Sequence, residues 1–281
     1  MNVLSGRHAI VTGASRGIGR HIARALAREG VHLALVARSA DDLERAREEV
    51  LAIGVDAVVV TADLADSARV ASVVAEAERR LGPVDILVNN AGVERTSPYA
   101  TYPTRAIERA VRVNLLAPML LARAVLPGML RRGRGHIVNV SSLAGKIGLP
   151  CQTPYGTTKA GLVMFSHSLR GELLDEPVGV SVICPGFVAG AGMYARVEDM
   201  GLSAPALCRP TTAEKVAAAV VRAIRDDAPE LIVNPLPVRP MIALRALAPG
   251  IAPYLHRWLG NTRFVRDIAE QRSDRRESGG A

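Results

Sequence analysis

Tyr155 and Lys159 stand four residues apart in the stretch Tyr155-Gly156-Thr157-Thr158-Lys159, which puts both side chains on one face if that stretch is helical. An ammonium beside a phenol stabilises the phenolate, so the pair could give or take a proton near neutral pH, with Tyr155 as acid/base and Lys159 lowering its pKa. A surface pair of no chemical consequence has the same spacing, so the neighbours must decide. Upstream, the apolar run Ile137-Val138-Asn139-Val140 ends in Ser141 and Ser142. A hydroxyl leaving a buried strand at its C-terminal end can hydrogen-bond a substrate oxygen, and it can equally cap a turn.

The stretch Thr12-Gly13-Ala14-Ser15-Arg16-Gly17-Ile18-Gly19-Arg20 lies between a short apolar run and a helical pattern. A turn in that place gathers backbone N–H groups and the positive end of a helix dipole where a pyrophosphate can sit. Gly13 permits the tight turn, Gly17 lets backbone approach phosphate, and Gly19 lets helix pack on strand. An ordinary glycine turn between strand and helix is the alternative. The next apolar run ends Val36-Ala37-Arg38-Ser39, with no acid before Asp41. An acid there suits the ribose 2′-hydroxyl of NAD, whereas Arg38, joined by Arg16 from the glycine turn, suits a 2′-phosphate. NADP is therefore the expected cofactor, in preference to NAD.

These residues need a scaffold, and the pattern of apolar runs supplies one. Nearly continuous runs occur at 8–11, 32–37, 57–60, 86–89, 136–140, 178–184 and 231–233, as strands buried on both faces of a parallel sheet require. Between them, 18–28, 41–51, 67–80, 104–131, 155–174 and 212–224 carry apolar residues at helical spacing. Gly30 closes the first of these helices, and Thr211 or Thr212 with Glu214 opens the last. Seven strands alternating with six helices predict an α/β fold, a doubly wound parallel sheet in a domain spanning 1–235. Beyond Asn234, prolines punctuate short apolar pieces, which predicts a C-terminal helical extension over 236–281 with its last ten or so residues frayed.

Composition narrows the function classes. The 281 residues are 49% hydrophobic, enough for a substantial core, and the net charge is +8. Aromatics make up only 3%, against a nucleic-acid surface, which interleaves basic and aromatic residues. No uninterrupted apolar stretch reaches eighteen residues and no basic-then-apolar leader opens the chain, so the expected location is the cytoplasm. Cys151, Cys184 and Cys208 fit no disulfide or zinc framework, and the six histidines show no ligand spacing, so no metal site is expected.

Thr12-Gly13-x-x-x-Gly17-Ile18-Gly19, then Asn89-Asn90-Ala91-Gly92, then Ser142 with Tyr155-x-x-x-Lys159, then Pro185-Gly186, together resemble the classical short-chain dehydrogenase/reductases over roughly residues 5–235. The resemblance implies a Rossmann-type domain, commonly a homodimer or homotetramer, moving hydride between NAD(P) and a carbonyl or alcohol. It makes Tyr155 the proton donor and acceptor and Ser142 its substrate-orienting partner. Lys159 would bind the nicotinamide ribose, and Asn114 would hold a water in the proton relay. Asp63, with Leu64 beside it, matches the acid that contacts the adenine, and Asn90, Ala91 and Gly92 belong to the turn beside the adenine-side ribose. Ser15 and Ile18 complete the glycine turn's contacts, while Pro185, Gly186 and Val188 lie where the nicotinamide is contacted. One departure is visible: Gly190 stands where the family often has threonine, which implies a lost or backbone-made carboxamide contact and a more mobile following loop.

The segment from Phe187 to Pro210, which usually covers the substrate in this fold, offers Met193, Tyr194, Met200, Leu202 and Leu207, with Arg196 and Arg209. Such an adaptable apolar lid favours a small hydrophobic carbonyl or alcohol substrate, and core packing would use the same residues. Cys151, Gln152 and Thr153 are candidates to line the pocket. In the extension, Met241, Ile242, Leu244, Leu247, Ile251, Leu255, Trp258, Leu259, Phe264 and Ile268 are interleaved with arginines. Packing over the cleft or a neighbouring subunit is the favoured reading, with peripheral membrane contact the rival. Four functions stay open: interconversion of a hydrophobic ketone and its secondary alcohol, reduction of a 3-oxoacyl group on an acidic carrier, non-catalytic NADP-dependent redox sensing, and a peripheral membrane protein whose tail is the working part.

Overall fold

A computed structural model describes residues 3–205, 208–251, 254, 257 and 260–278, with no side-chain account of 261 or 273–278. Each expected strand forms: β1 (His8–Thr12), β2 (His32–Ala37), β3 (Ala57–Thr61), β4 (Ile86–Asn89), β5 (Gly135–Val140) and β6 (Val178–Pro185), closed at the far edge by Glu230–Val233. They pair in parallel in the order β3-β2-β1-β4-β5-β6 and then the edge strand, so the chain reverses its direction of winding between β1 and β4. A crevice opens at that switch point, outside the carboxyl ends of the strands.

Alternation along the strands builds two cores. Ala9 and Val11 of β1 face one side with Leu33 and Leu35 of β2, where α1 (Gly17–Arg28), α2 (Ala40–Leu51) and a late helix over 213–226 bury Ile22, Leu26, Leu43 and Val220. Ile10, Ala34 and Leu87 face the other, against α3 (Ser67–Leu81) and α5 (Ala117–Arg131). The expected helix over 104–131 forms as α4 (Thr104–Val111), a π turn (Arg112–Leu116) and α5. By length and composition Thr104–Arg131 could cross a membrane, but half of its most apolar window is buried, and Leu121, Val125 and Met129 are fixed in the core.

α6 (Thr153–Glu172) follows β5 and carries Tyr155 and Lys159 at its start. After β6 comes a pairing too short for its pattern to show in the sequence: β7 (Val188–Ala189) runs parallel to β8 (Thr211–Thr212). The loop expected to be mobile after Gly190 contains α7 (Gly192–Glu198), and Gly190 N donates to Glu198 Oε2 at 2.9 Å, closing the segment on itself. Thr212 caps α8 (Ala213–Asp226) by accepting from Lys215 N, which leads to β9 (Glu230–Val233).

The extension forms α9 (Arg239–Leu247) and α10 (Asn261–Ser278). α10 runs to Ser278 across the stretch expected to fray, since its Arg and Glu residues are good helix formers. Leu207, Leu255, His256, Trp258 and Leu259 from the sequence reading lie outside the described residues, as do 279–281.

Candidate active site

Gly13 has φ +68, and a Cβ there would sit 2.9 Å from Ala91 Cα; one on Gly19 would sit 2.1 Å from Gly13 O. Both positions are closed to any side chain, so the turn can lie flush against the Asn90-Ala91-Gly92 segment. Thr12 locks the two together: its Oγ1 accepts from Asn90 N at 3.0 Å and from Ala91 N at 3.1 Å, and Asn90 Nδ2 donates to Thr12 O at 2.9 Å. Thr12 acts here as a clamp that the motif alone did not single out. α1 begins with Arg16 as N-cap, makes no side-chain cap hydrogen bond and has no acid in its first turn. Its first N–H groups are left for an anion, which fits a dinucleotide pyrophosphate. Gly17 is required for a further reason, because a Cβ there would stand 3.0 Å from Gly192 N of α7.

A cavity of about 920 Å³ runs from this turn across the ends of the strands. Ser15, Gly17 and Ile18 line it, with Arg16 and Arg38 at the β2 end and Asp63 and Leu64 after β3. Burial works against ionisation of Asp63, but the Ala65 N–H and Arg109, at 3.1 Å, outweigh it and hold the carboxyl below its ordinary range. Pro185, Gly186 and Val188 line the opposite end; a Cβ on Gly186 would meet Asn234 Oδ1 at 2.4 Å.

Ser142, Tyr155 and Lys159 converge on the middle of the cavity. The adjacent serines divide their roles. Ser141 is buried and donates to Lys159 O at 2.8 Å, whereas Ser142 Oγ accepts from Ala144 N and faces the cavity floor. Lys159 is 3% exposed, with Nζ donating to Val140 O at 2.7 Å and lying 5.9 Å from the centre of the Tyr155 ring. The net shift of Tyr155 in this structure is upward, and burial is its largest cause. Burial pushes Tyr155 up to about 12, with hydrogen bonding to Ser142 opposing it and the Glu94 carboxylate adding to it. Burial likewise brings Lys159 down to about 8. Desolvation by burial is the largest cause of both shifts.

Asn114 sits within the π turn, fully buried, and its side chain is committed to protein partners. Oδ1 accepts from Val93 N at 2.8 Å, while Nδ2 donates to Val93 O at 2.9 Å and Thr158 Oγ1 at 3.1 Å. It therefore joins the segment after Gly92 to α6 from behind the cavity wall instead of lining it. Of Cys151, Gln152 and Thr153, only Gln152 reaches the lining. Cys151 packs against the lid, with burial raising its thiol pKa.

The substrate side is where the tail enters. Tyr194 and Val197 of α7 bury against Phe264, Val265 and Ile268 of α10, with Phe187 edge-on to Phe264 at 5.7 Å. Arg272 Nη1 reaches Glu94 Oε1 at 3.1 Å and Thr96 Oγ1 at 3.1 Å, and the Glu94 side chain is only 6% exposed. Packing over the cleft thus holds for α10. α9 has no buried residue and meets the cleft only at its edge, through Met241. Glu94 and Arg272 had no signal in the sequence, since their pairing joins segments 178 positions apart.

The family profile described as short chain dehydrogenase matches residues 7–201. The chain belongs to the short-chain dehydrogenase/reductase family. It is an oxidoreductase of that family, and its relatives include reductases of ketoacyl groups. It is 39% identical over 277 residues to ketoacyl reductase HetN of Nostoc sp., covering 97% of this chain and 96% of that one. It is 37% identical over 183 residues to 3-oxoacyl-[acyl-carrier-protein] reductase FabG of Staphylococcus aureus, covering 65% of this chain and 74% of the relative. Among solved structures, a metagenomic short-chain oxidoreductase in complex with NADP superposes with TM-score 0.71 at 33% identity, over 84% of this chain and all of the other. A variant of actinorhodin polyketide ketoreductase with NADPH gives 0.75 at 30%, over 83% and 98%.

Proposed function

We propose that this short-chain dehydrogenase/reductase uses NADP(H) to interconvert a ketone and a secondary alcohol on a hydrophobic substrate. The observation that carries the reading is the convergence of Ser142, Tyr155 and Lys159 on a cavity that also contains the glycine turn and an apolar far wall of Phe264, Val265 and Ile268. The bound nicotinamide supplies or accepts the hydride. The chain's own residues position the substrate and move the proton. Ser142 hydrogen-bonds the substrate oxygen, and Tyr155 Oη gives that oxygen a proton in reduction and takes it back in oxidation. Burial raises the Tyr155 phenol, which is therefore protonated at neutral pH and can act as donor when the reaction runs toward the alcohol. Lys159 would hold the nicotinamide ribose, and Asn114, which joins the segment after Gly92 to α6, would hold a water in the proton relay.

On the adenine side, Arg16 and Arg38 would hold the 2′-phosphate, with Asp63 and Leu64 against the base and Asn90, Ala91 and Gly92 beside the ribose. Gly13, Ser15, Gly17, Ile18 and Gly19 would cradle the pyrophosphate, and Pro185, Gly186 and Val188 would flank the nicotinamide. Residues 1–235 form the catalytic unit in this reading, with 236–281 as its extension and a homodimer or homotetramer as its assembly.

A 3-oxoacyl thioester is the second reading, favoured by the similarity to HetN along nearly the whole chain. NADPH oxidation by the purified protein against bulky cyclic ketones and linear 3-oxoacyl thioesters, with NADH in parallel, separates the two by shape and tests the cofactor preference. Turnover lost in Tyr155→Phe is the expected result. Tight NADPH binding with no turnover of either class would return the sensor reading.

A further inference from the structure

α9 and the turn after it expose what α10 buries. Leu244 is 39% exposed, Leu247 85%, Ile251 55% and Tyr254 74%. Leu244 and Leu247 lie one turn apart on α9, and the four fall within eleven residues, whereas the other exposed large apolar side chains among the described residues scatter singly from Val3 to Leu174. Scattered apolar side chains are normal on a protein surface, but a cluster calls for a partner.

Charge restricts what that partner can be. Residues 236–266 contain five arginines, at 239, 245, 257, 263 and 266, and no Asp, Glu or Lys, against a net charge of +8 for the whole chain. A second copy of this chain would bring like charges together across a two-fold contact, which is unfavourable. An anionic surface meets both properties of the segment at once.

The same segment borders the chemistry, through Met241 of α9 and the three residues just before the helix. Leu236, Pro237, Val238 and Met241 line the 920 Å³ cavity, and Arg245 donates to Lys146 O, tying α9 to the loop after β5. We infer that Leu244, Leu247, Ile251 and Tyr254 rest in an anionic lipid surface with the neighbouring arginines against lipid phosphates, placing the mouth of the substrate chamber beside the membrane. α9, with Pro240 in its first turn and Pro249 two residues beyond its end, is too short to span, so the contact is shallow and reversible.

The test is co-sedimentation of the full-length protein with phosphatidylcholine vesicles containing or lacking phosphatidylglycerol, read beside NADPH affinity and oligomeric state. Wild type is expected to sediment with the anionic vesicles only. Leu247→Asp with Ile251→Asp should lower that partition about tenfold or more, and Arg239→Gln with Arg257→Gln roughly fivefold per arginine. NADPH binding should be unchanged in both, because none of these side chains contacts the proposed cofactor cleft. No sedimentation of wild type, equal binding to pure phosphatidylcholine, or equal binding of wild type and the Leu247/Ile251 variant overturns the inference. So does a change of oligomeric state in that variant with vesicle binding intact, which would assign the patch to a second copy. Vesicle binding is read without turnover, so its failure and that of the reductase reading are separate results.

Discussion

On the sheet side of the cavity, Ser142, Tyr155 and Lys159 come from a strand end and the helix that follows, and hydrogen bonds from Ser141 and to Val140 hold their backbone in register. On the far side, Phe264, Ile268 and Arg272 arrive from α10, held by apolar contact with α7 and by one buried carboxylate, Glu94. The near wall carries the groups that can move a proton and tolerates little change of residue type. In the proposed function the far wall would supply shape and exclusion of water, which many residues could provide. Chemistry and specificity thus rest on different physical supports, and substitutions in the two walls should fail differently.

The largest effect is expected in the near wall. Tyr155→Phe removes the proposed proton donor and should lower kcat by about a thousandfold, in the usual range for a general acid, with NADPH affinity retained. Fluorescence titration of NADPH beside a rate assay reads both; equal loss of binding and rate would mean the phenol positions the cofactor instead.

The near wall should also leave a mark on stability. Lys159 titrates at about 8 in the folded chain against 10.5 ordinarily, so the folded protein binds fewer protons between those values and stability rises with pH across that window. Below it, the buried ammonium costs on the order of 3 kcal/mol. Tyr155 acts in the opposite sense from about 10 to about 12, where the folded chain keeps a proton the unfolded chain has lost. Denaturant melts of wild type and Lys159→Met between pH 7 and 10 should converge as pH rises; parallel curves would show that Lys159 is hydrated in solution.

In the far wall, Arg272→Ala leaves Glu94 buried without its ion-pair partner and should destabilise by about 3 kcal/mol. Glu94→Gln in the same chain should recover part of that loss. Thermal unfolding reports the size of the effect, and proteolysis after α8 reports whether the extension alone is released. The smallest effect is expected at the exposed adenine end, where Arg38→Ala should cut the NADPH-to-NADH preference by about tenfold, the contribution of one charged hydrogen bond. An unchanged ratio would shift the 2′-phosphate contact to Arg16.

Most of the near wall was legible before folding. Gly13, Gly17 and Gly19 are a local requirement of a strand-turn-helix connection, and the run of apolar residues from Ile137 to Val140 places Ser142 at a strand end without knowledge of what lies opposite. The seven strands were readable for the same reason, since burial on both faces leaves a continuous apolar signature. The far wall was not. β7 and β8 are two residues each, too short for any periodicity, and they form only because Val188 and Thr211 meet. Asn114 reads as part of a helix, and only the π turn and its bonds to Val93 and Thr158 show it bracing the wall from behind.

What the sequence determined by itself is therefore everything set by neighbours along the chain: strand and helix placement, the glycine turn, the Tyr155 and Lys159 spacing, and the basic, acid-free run over 236–266. Tertiary structure alone decided which half of that run is buried and where the tyrosine titrates. Both depend on which surfaces meet across long sequence separations. Burial is a property of the assembled molecule, and desolvation, which moved Tyr155 up and Lys159 down, follows from burial and not from spacing.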